Sequence, residues 1–479
     1  MPPKKAKLAR LPAPTLAELP VDLAAVDQGV AKALRLAEQQ LATAHAARSA
    51  KATKAAVDTA DAARESTFPY LEDAAAETYA AHCSAYAASS LLYAAALLNS
   101  GEDVATTMAA LRALDLAMLR AGVVEWGAPA APFVDAAAAR LATSSGLGSS
   151  SGGSGSGVVF DDASRAAAEA ACPSWSPTAA RVAVVEASEL SVEAFEAQYL
   201  RGGGGRPVPV VLRNALSAWP ALVKWGDMEY IKGAAAGRLV PVETFAEADA
   251  AQTYLSDSWA QRVMPLRDYI ERYVEGAPAG GAVAGGAAAA AEDDDDDDDV
   301  WEDEALRGYL AQHPLFDQIP ALRRDIAIPP HCRAVGPEDG LAPAECEVRG
   351  EPIVSAWFGP GGTVSPLHND PYHNLLGQVV GAKYVRLYDA SDSDLLYPRS
   401  GPLCNNSLVN LDALDHSAFP RFGAAPCWQT VLGPGDLLFI PRHYWHYVRS
   451  LSLSFSVSFW WGAKMGLRRT AAGVYEAVY

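Results

Sequence analysis

His368-Asn369-Asp370, joined by His446 further along the chain, supplies two imidazoles and one carboxylate. Three such ligands hold a redox-active metal from one side and leave its other positions open, the arrangement of non-haem Fe(II) oxygenases. A structural zinc site would instead close with four ligands, commonly cysteines. The six cysteines here (Cys83, Cys172, Cys332, Cys346, Cys404 and Cys427) are scattered and form no CxxC pair, which also gives no disulfide framework. His368 and Asp370 are two apart, so on a strand both side chains point to one face. His373 and His443 are the competing imidazoles by proximity.

The elements that must position these groups are short strands. His368 lies in Trp357-Phe358-Gly359-Pro360-Gly361-Gly362-Thr363-Val364-Ser365-Pro366-Leu367-His368, a Gly/Pro-punctuated turn leading into a strand. His446 follows Gly435-Asp436-Leu437-Leu438-Phe439-Ile440-Pro441, a buried strand and a Pro-marked turn that contains His443. Val208-Pro209-Val210-Val211-Leu212 and Ile353-Val354-Ser355-Ala356-Trp357-Phe358 are further strands. Leu453, Phe455, Val457 and Phe459 alternate with serines, the period-two pattern of a strand with two different faces. Many short strands between turns indicate a barrel or sandwich. With the metal motif, the expected fold is a double-stranded β-helix. In Gln378-Val379-Val380-Gly381-Ala382-Lys383, a two-residue Gly-Ala connection joins two strands and sets Lys383 on one face with Val385 and Leu387. A lysine on an apolar face either meets an anion or lies at the strand end with its ammonium in water.

These stretches resemble the JmjC branch of the cupin-type 2-oxoglutarate oxygenases, from about residue 208 to 461. The stretch 308–320 resembles its Jumonji-domain-containing protein 5 (lysine demethylase 8) subfamily. The resemblance implies an α+β chain whose C-terminal double-stranded β-helix (cupin, jelly-roll) follows an Ala-rich helical region. It implies Fe(II) held by His368, Asp370 and His446, the last preferred to His443 for its match to the family setting. It implies 2-oxoglutarate and O₂ as cosubstrates, with Lys383 on the distal carboxylate of 2-oxoglutarate and Asn374, Ser365, Tyr309, Gln312 and Trp357 completing that pocket. Glu243, Trp259 and Trp460 match positions that line the substrate pocket. An acidic group with two indole faces is a receptor for a guanidinium, and methyl-lysine also sits against aromatic rings. The resemblance therefore implies a protein hydroxylase acting on arginine side chains, or else a histone Nε-methyl-lysine demethylase. The reading from another class is a catalytically silent scaffold. The chain lacks the cysteine-rich reader fingers that accompany many chromatin demethylases, which favours hydroxylation.

The rest of the chain divides by composition. Residues 1–20 form a tail whose basic patch (Pro3-Lys4-Lys5-Ala6-Lys7-Leu8-Ala9-Arg10) reads as a nuclear address or as a disordered terminus. Residues 21–143 are Ala-rich and expected to be a helical bundle. Val104, Met108, Leu111, Leu114 and Met118 recur at helical spacing before Gly122, and Ser66-Thr67 before Pro69 marks another helix start. This region is expected to pack on itself or on a protein partner, with His45 and His82 as surface or packing residues. Residues 144–180 read as a Ser/Gly-rich linker, and 181–479 as the catalytic domain, interrupted at 276–300 by a low-complexity acidic insertion. The insertion is a solvated loop or a lure for basic substrates. The net charge of −19 argues against broad nucleic-acid binding. No apolar run of about 18 residues and no secretory segment is read, so the expectation is no membrane and a reducing compartment, nucleus and/or cytoplasm.

Overall fold

The computed structural model describes residues 11–276, 306–334 and 352–478, apart from shorter stretches that include 72–77, 145–159, 173–178 and 463–465. The N-terminal basic patch, Gly122 and the acidic run of the expected insertion lie outside the described residues.

Among the described residues, five helices form the N-terminal region: α1 (Gln28–Ala47), α2 (Ala50–Glu65), α3 (Tyr79–Ser100), α4 (Val104–Ala121) and α5 (Val123–Ser144). The side chain of Ser49 accepts from the Ala52 amide and caps the start of α2. Alanines along the facing stripes (Ala37, Ala56, Ala60, Ala88, Ala95) are fully buried, so the helices approach closely and leucines fill what remains. The start expected at Ser66 is only a short 3-10 turn (Phe68–Tyr70), and α3 begins at Tyr79. By length and composition α3 could cross a membrane, contrary to the reading of no such run. It is instead the core helix of the bundle, with 83% of its most apolar window buried. His82 is a packing residue: its Nε2 accepts from the Asp27 amide and its ring stacks on Tyr70.

Within the stretch expected to be linker, α6 (Asp162–Ala171) is capped by Asp161 and docks on the later domain through an Arg165–Asp436 ion pair at 2.8 Å. That domain is two facing sheets. The strands are β1 (Ala180–Arg181), β2 (Ala183–Glu186), β3 (Val210–Arg213), β4 (Leu239–Ala246), β5 (Ala260–Pro265), β6 (Leu306–His313), β7 (Ile353–Gly359), β8 (Val364–Asn369), β9 (His373–Val380), β10 (Lys383–Tyr388), β11 (Trp428–Leu432), β12 (Leu437–Ile440), β13 (Trp445–Ser450) and β14 (Ser454–Trp461). The larger sheet runs β2-β3-β12-β9-β14-β7-β6-β4-β5 and the smaller β1-β11-β10-β13-β8. Val211, Leu376 and Leu438 of one sheet meet Val385, Leu387 and Leu432 of the other inside the barrel.

Two features differ from simple expectation. On β14 the aromatic and valine side joins the core outside the barrel (Phe455, Val457, Phe459), so Ser454, Ser456 and Ser458 occupy the inner side. Ser456 Oγ donates to the buried Gln378 Oε1, and Gln378 Nε2 donates to Ser454 Oγ, which satisfies part of that polar lining. Gly381-Ala382 does join two strands, but β9 and β10 belong to opposite sheets, so the connection is a corner and not a hairpin. Gly381 has φ +70°, and a Cβ there would lie 1.8 Å from the Leu453 carbonyl oxygen.

Candidate active site

β8 and β13 are antiparallel neighbours with His368 directly opposite His446. Their rings lie 4.2 Å apart, and the facing ligand atoms of His368, Asp370 and His446 lie within 4.8 Å of one another. Among the described residues no other group of three metal-ligating side chains gathers this way. His368 Nδ1–H donates to the Pro366 carbonyl at 2.7 Å, and His446 Nδ1–H donates to the Tyr444 carbonyl at 3.0 Å. Both rings are thereby held in the tautomer that leaves Nε2 as a free lone pair, the state a metal ligand needs. Burial, then the neighbouring His368, lowers the His446 pKa to about 4.

Asp370 lies just past the end of β8, not on it, so the shared-face argument from strand spacing does not apply. Its carbonyl accepts from the His443 amide at 2.8 Å, and this ties the Pro441 turn to the motif. His443 itself sits in that turn with φ +63° and is outside the cluster. His373 is fully buried on the other side of β9, between Phe439 and Trp461, and its Nδ1 accepts from the Arg442 amide. Neither decoy joins the site.

Behind the triad a cleft of about 350 Å³, including space open to solvent, is lined by Trp357, Ser365, Asn374, Leu376, Lys383 and Ser458 among others. Ser365 and His368 both reach it although they are three apart. His446 and Val448 pair with His368 and Ser365, so β8 carries one extra residue and bulges. Lys383 is 2% exposed, and burial lowers its pKa from 10.5 to about 7. Its Nζ donates to the Tyr309 hydroxyl at 3.2 Å, and no carboxylate among the described residues forms an ion pair with it. Tyr309 in turn hydrogen-bonds Ser365. The Asn374 Oδ1 is buried without a partner. Trp357 Nε1 donates to Ser458 Oγ at 2.8 Å. Gln312, expected in this pocket, is not brought there. It is exposed, with φ +49°, in the irregularity where the β6–β7 register shifts between Leu310 and His313.

On the outer side of the cleft, Glu243 of β4 pairs directly with Tyr309 of β6. Burial raises its pKa to about 7, opposed in part by the Trp259 indole, which donates to it. Trp259 is 38% exposed. Trp460 is 6% exposed, its indole N–H is buried without a partner, and its ring stands edge-on to Trp357 and stacked on Tyr372. Tyr254 was not singled out from the sequence, because the segment around it carries no motif. Its hydroxyl donates to Asn406 Oδ1 at 2.7 Å, and burial, then the charges of Asp370 and Glu243, raises its pKa. Asn406 bridges to His368, so Tyr254 spans from the Glu243 side to the metal-ligand strand.

The cupin-like domain family matches residues 195–466. Lysine-specific demethylase 8 of Danio rerio is 39% identical over 275 residues, 57% of this chain and 56% of that protein. Lysine-specific demethylase JMJ30 of Arabidopsis thaliana is 39% identical over 279 residues, covering 58% and 54%. Jumonji C domain-containing protein 5 of Drosophila melanogaster is 37% identical over 272 residues, covering 57% and 58%. The chain thus spans a little over half the length of these curated relatives.

Proposed function

This chain belongs to the JmjC branch of the cupin-like family, and from that premise we propose that it is an Fe(II)- and 2-oxoglutarate-dependent oxygenase that hydroxylates arginine side chains of a protein substrate. The donor set fits the metal: two imidazoles with lone pairs fixed by their Nδ1 hydrogen bonds, one carboxylate, and an open side. The cleft fits the cosubstrate: a buried ammonium with no counter-ion among the described residues, flanked by Tyr309 and Ser365, and a buried amide with an unmet hydrogen-bonding atom on Asn374. When bound there, Fe(II), 2-oxoglutarate and O₂ supply oxidative decarboxylation to succinate and CO₂, coupled to insertion of one oxygen atom into a substrate C–H bond.

The chain's own residues then have separate tasks. His368, Asp370 and His446 hold the metal on one side. Lys383 neutralises the far carboxylate of the cosubstrate and holds it against the barrel wall, with Tyr309, Ser365, Asn374 and Trp357 around it. Leu376, Ile440 and Val448 keep water from that wall. Glu243, Trp259 and Trp460 orient the substrate side chain.

The observation that carries the arginine reading is Glu243. It is a largely buried carboxylate beside the cleft, it has an indole donor and no basic partner among the described residues, and burial alone keeps it partly protonated near neutrality. A guanidinium with its planar donor fork would satisfy it while stacking on Trp259 or Trp460. The second reading is lysine demethylation, favoured by the names of two of the relatives. Mass spectrometry of candidate basic peptides separates them: a gain of one oxygen on arginine supports hydroxylation, and loss of a methyl group from lysine without oxygen gain overturns it. Localisation in the nucleus or cytoplasm remains part of the proposal.

A further inference from the structure

Asp115, in the middle of α4, is fully buried, and its carboxylate is occupied by donors from the barrel domain. Oδ1 accepts from Arg238 Nε at 2.7 Å, from Arg238 Nη2, and from Gln318 Nε2 at 2.9 Å. Oδ2 accepts from the Leu239 amide at 2.8 Å. Leu239 is the first residue of β4, four before Glu243. Gln318 also donates to the Leu239 carbonyl at 2.6 Å, and its Oε1 accepts from His313 Nε2 at 2.8 Å. His313 is the last residue of β6, four after Tyr309. Burial lowers the His313 pKa to about 4, so the ring is neutral and its Nε2–H is the donor. The fit extends to the chain entering β4. Gly237 has φ +79°, and a Cβ there would lie 1.9 Å from Met108 Cε of the same helix α4.

One carboxylate of the helical region therefore ties down one end of each of two adjacent strands, and those strands carry Glu243 and Tyr309 as direct cross-strand partners. A buried ion pair adds little net stability compared with an apolar replacement, but it admits one arrangement of its partners. We propose that Asp115 is a positioning residue for the catalytic cleft. Through it the helical region sets β4 and β6 against the barrel, and so fixes Glu243 towards substrate and Tyr309 towards Lys383. The inference rests on the roles given above to Glu243 and Tyr309. It makes the helical region a part of the catalytic unit, with the Asp115 face of α4 committed to the barrel in cis.

The test uses the full chain with D115N, which keeps the shape and removes the charge, and His313→Phe, which cuts only the link from β6 to Gln318. Hydrogen–deuterium exchange of the ligand-free protein is read first. D115N is expected to speed exchange in β4 and β6 while β12 and β13 keep theirs, and His313→Phe to speed β6 alone. In turnover, D115N should raise the apparent KM for both peptide and 2-oxoglutarate about tenfold. His313→Phe should raise the KM for 2-oxoglutarate and leave that for peptide unchanged. Unaltered exchange in β4 and β6 overturns the proposal, and so does a uniform rise across all four strands, which is global destabilisation. If D115N fails to fold, the His313→Phe pattern decides: exchange raised in β6 alone supports the proposal, any other pattern overturns it. Absence of turnover in the unaltered protein would sink the enzymatic reading while leaving the exchange result intact.

Discussion

Lys383 Nζ reaches the Tyr309 hydroxyl at 3.2 Å across the barrel, from the small sheet to the large one. The contact satisfies one of three ammonium hydrogens and none of the charge. A buried cation in this condition opposes folding until an anion arrives.

Lys383→Met should therefore raise the Tm of the ligand-free protein by about 2–4 °C while raising the apparent KM for 2-oxoglutarate at least about thirtyfold. The fold holds the Lys383 pKa near 7, below its free value, so the unaltered protein gains stability as pH rises above 7. The Tm difference between the two proteins should shrink between pH 7 and 9. A lower Tm for Lys383→Met at pH 7 would contradict this account.

His368→Ala should abolish turnover and metal binding, because two remaining ligands cannot hold the ion, while the Tm of the metal-free protein stays within about 2 °C. Calorimetric titration with Mn(II) checks the first part without relying on activity. Retained binding would remove His368 from the ligand set.

Glu243 has the opposite pH dependence. Its folded pKa of about 7 lies above the free value of 4.5, so its contribution to stability is present below about pH 4.5 and is lost as pH rises through 7. Glu243→Gln should flatten that fall in a series of denaturant titrations. A guanidinium needs the carboxylate form, so the peptide KM of the unaltered protein should drop from pH 6 to 8, and that of Glu243→Gln should stay high and level. A parallel pH profile in the two would refute the ion pair.

Gly381→Ala places a methyl group against the Leu453 carbonyl at a left-handed φ, which should cost at least about 2 kcal/mol in urea unfolding. Lys383 is two residues on, so the KM for 2-oxoglutarate should rise as well. A neutral substitution would show that the corner between the sheets is slack.

His368 and Asp370 stand out in the sequence because a carboxylate and an imidazole are chemically unusual in an apolar strand region. The choice of His446 over His443, and of Lys383 as a cosubstrate residue, comes from the family resemblance, since by residue type alone a lysine at a strand end reads equally as reaching water. The two-faced pattern of β14 was legible as a strand, but not which face meets the barrel interior, since both faces are buried. The exposed position of Gln312 is not legible in the sequence, because the irregularity in β6 leaves no mark in composition. Asp370 reaches the site from beyond the strand end, although its spacing from His368 reads as a strand. Asp115 was invisible, since its partners lie on segments that only the folded chain brings to it, and a lone aspartate in an alanine-rich helix reads as a solvated residue.

The serine side of β14 has a consequence for how such a protein can change. Adhesion between the sheet and its outer helices rests on Phe455, Val457 and Phe459, while the inward neighbour Ser458 lines the cleft and Trp460 stands edge-on to Trp357 of that lining. Alternate residues of one strand thus answer to separate demands. Substitutions inward of the backbone can retune which side chain is accepted, and those outward of it can retune durability, with little traffic between the two.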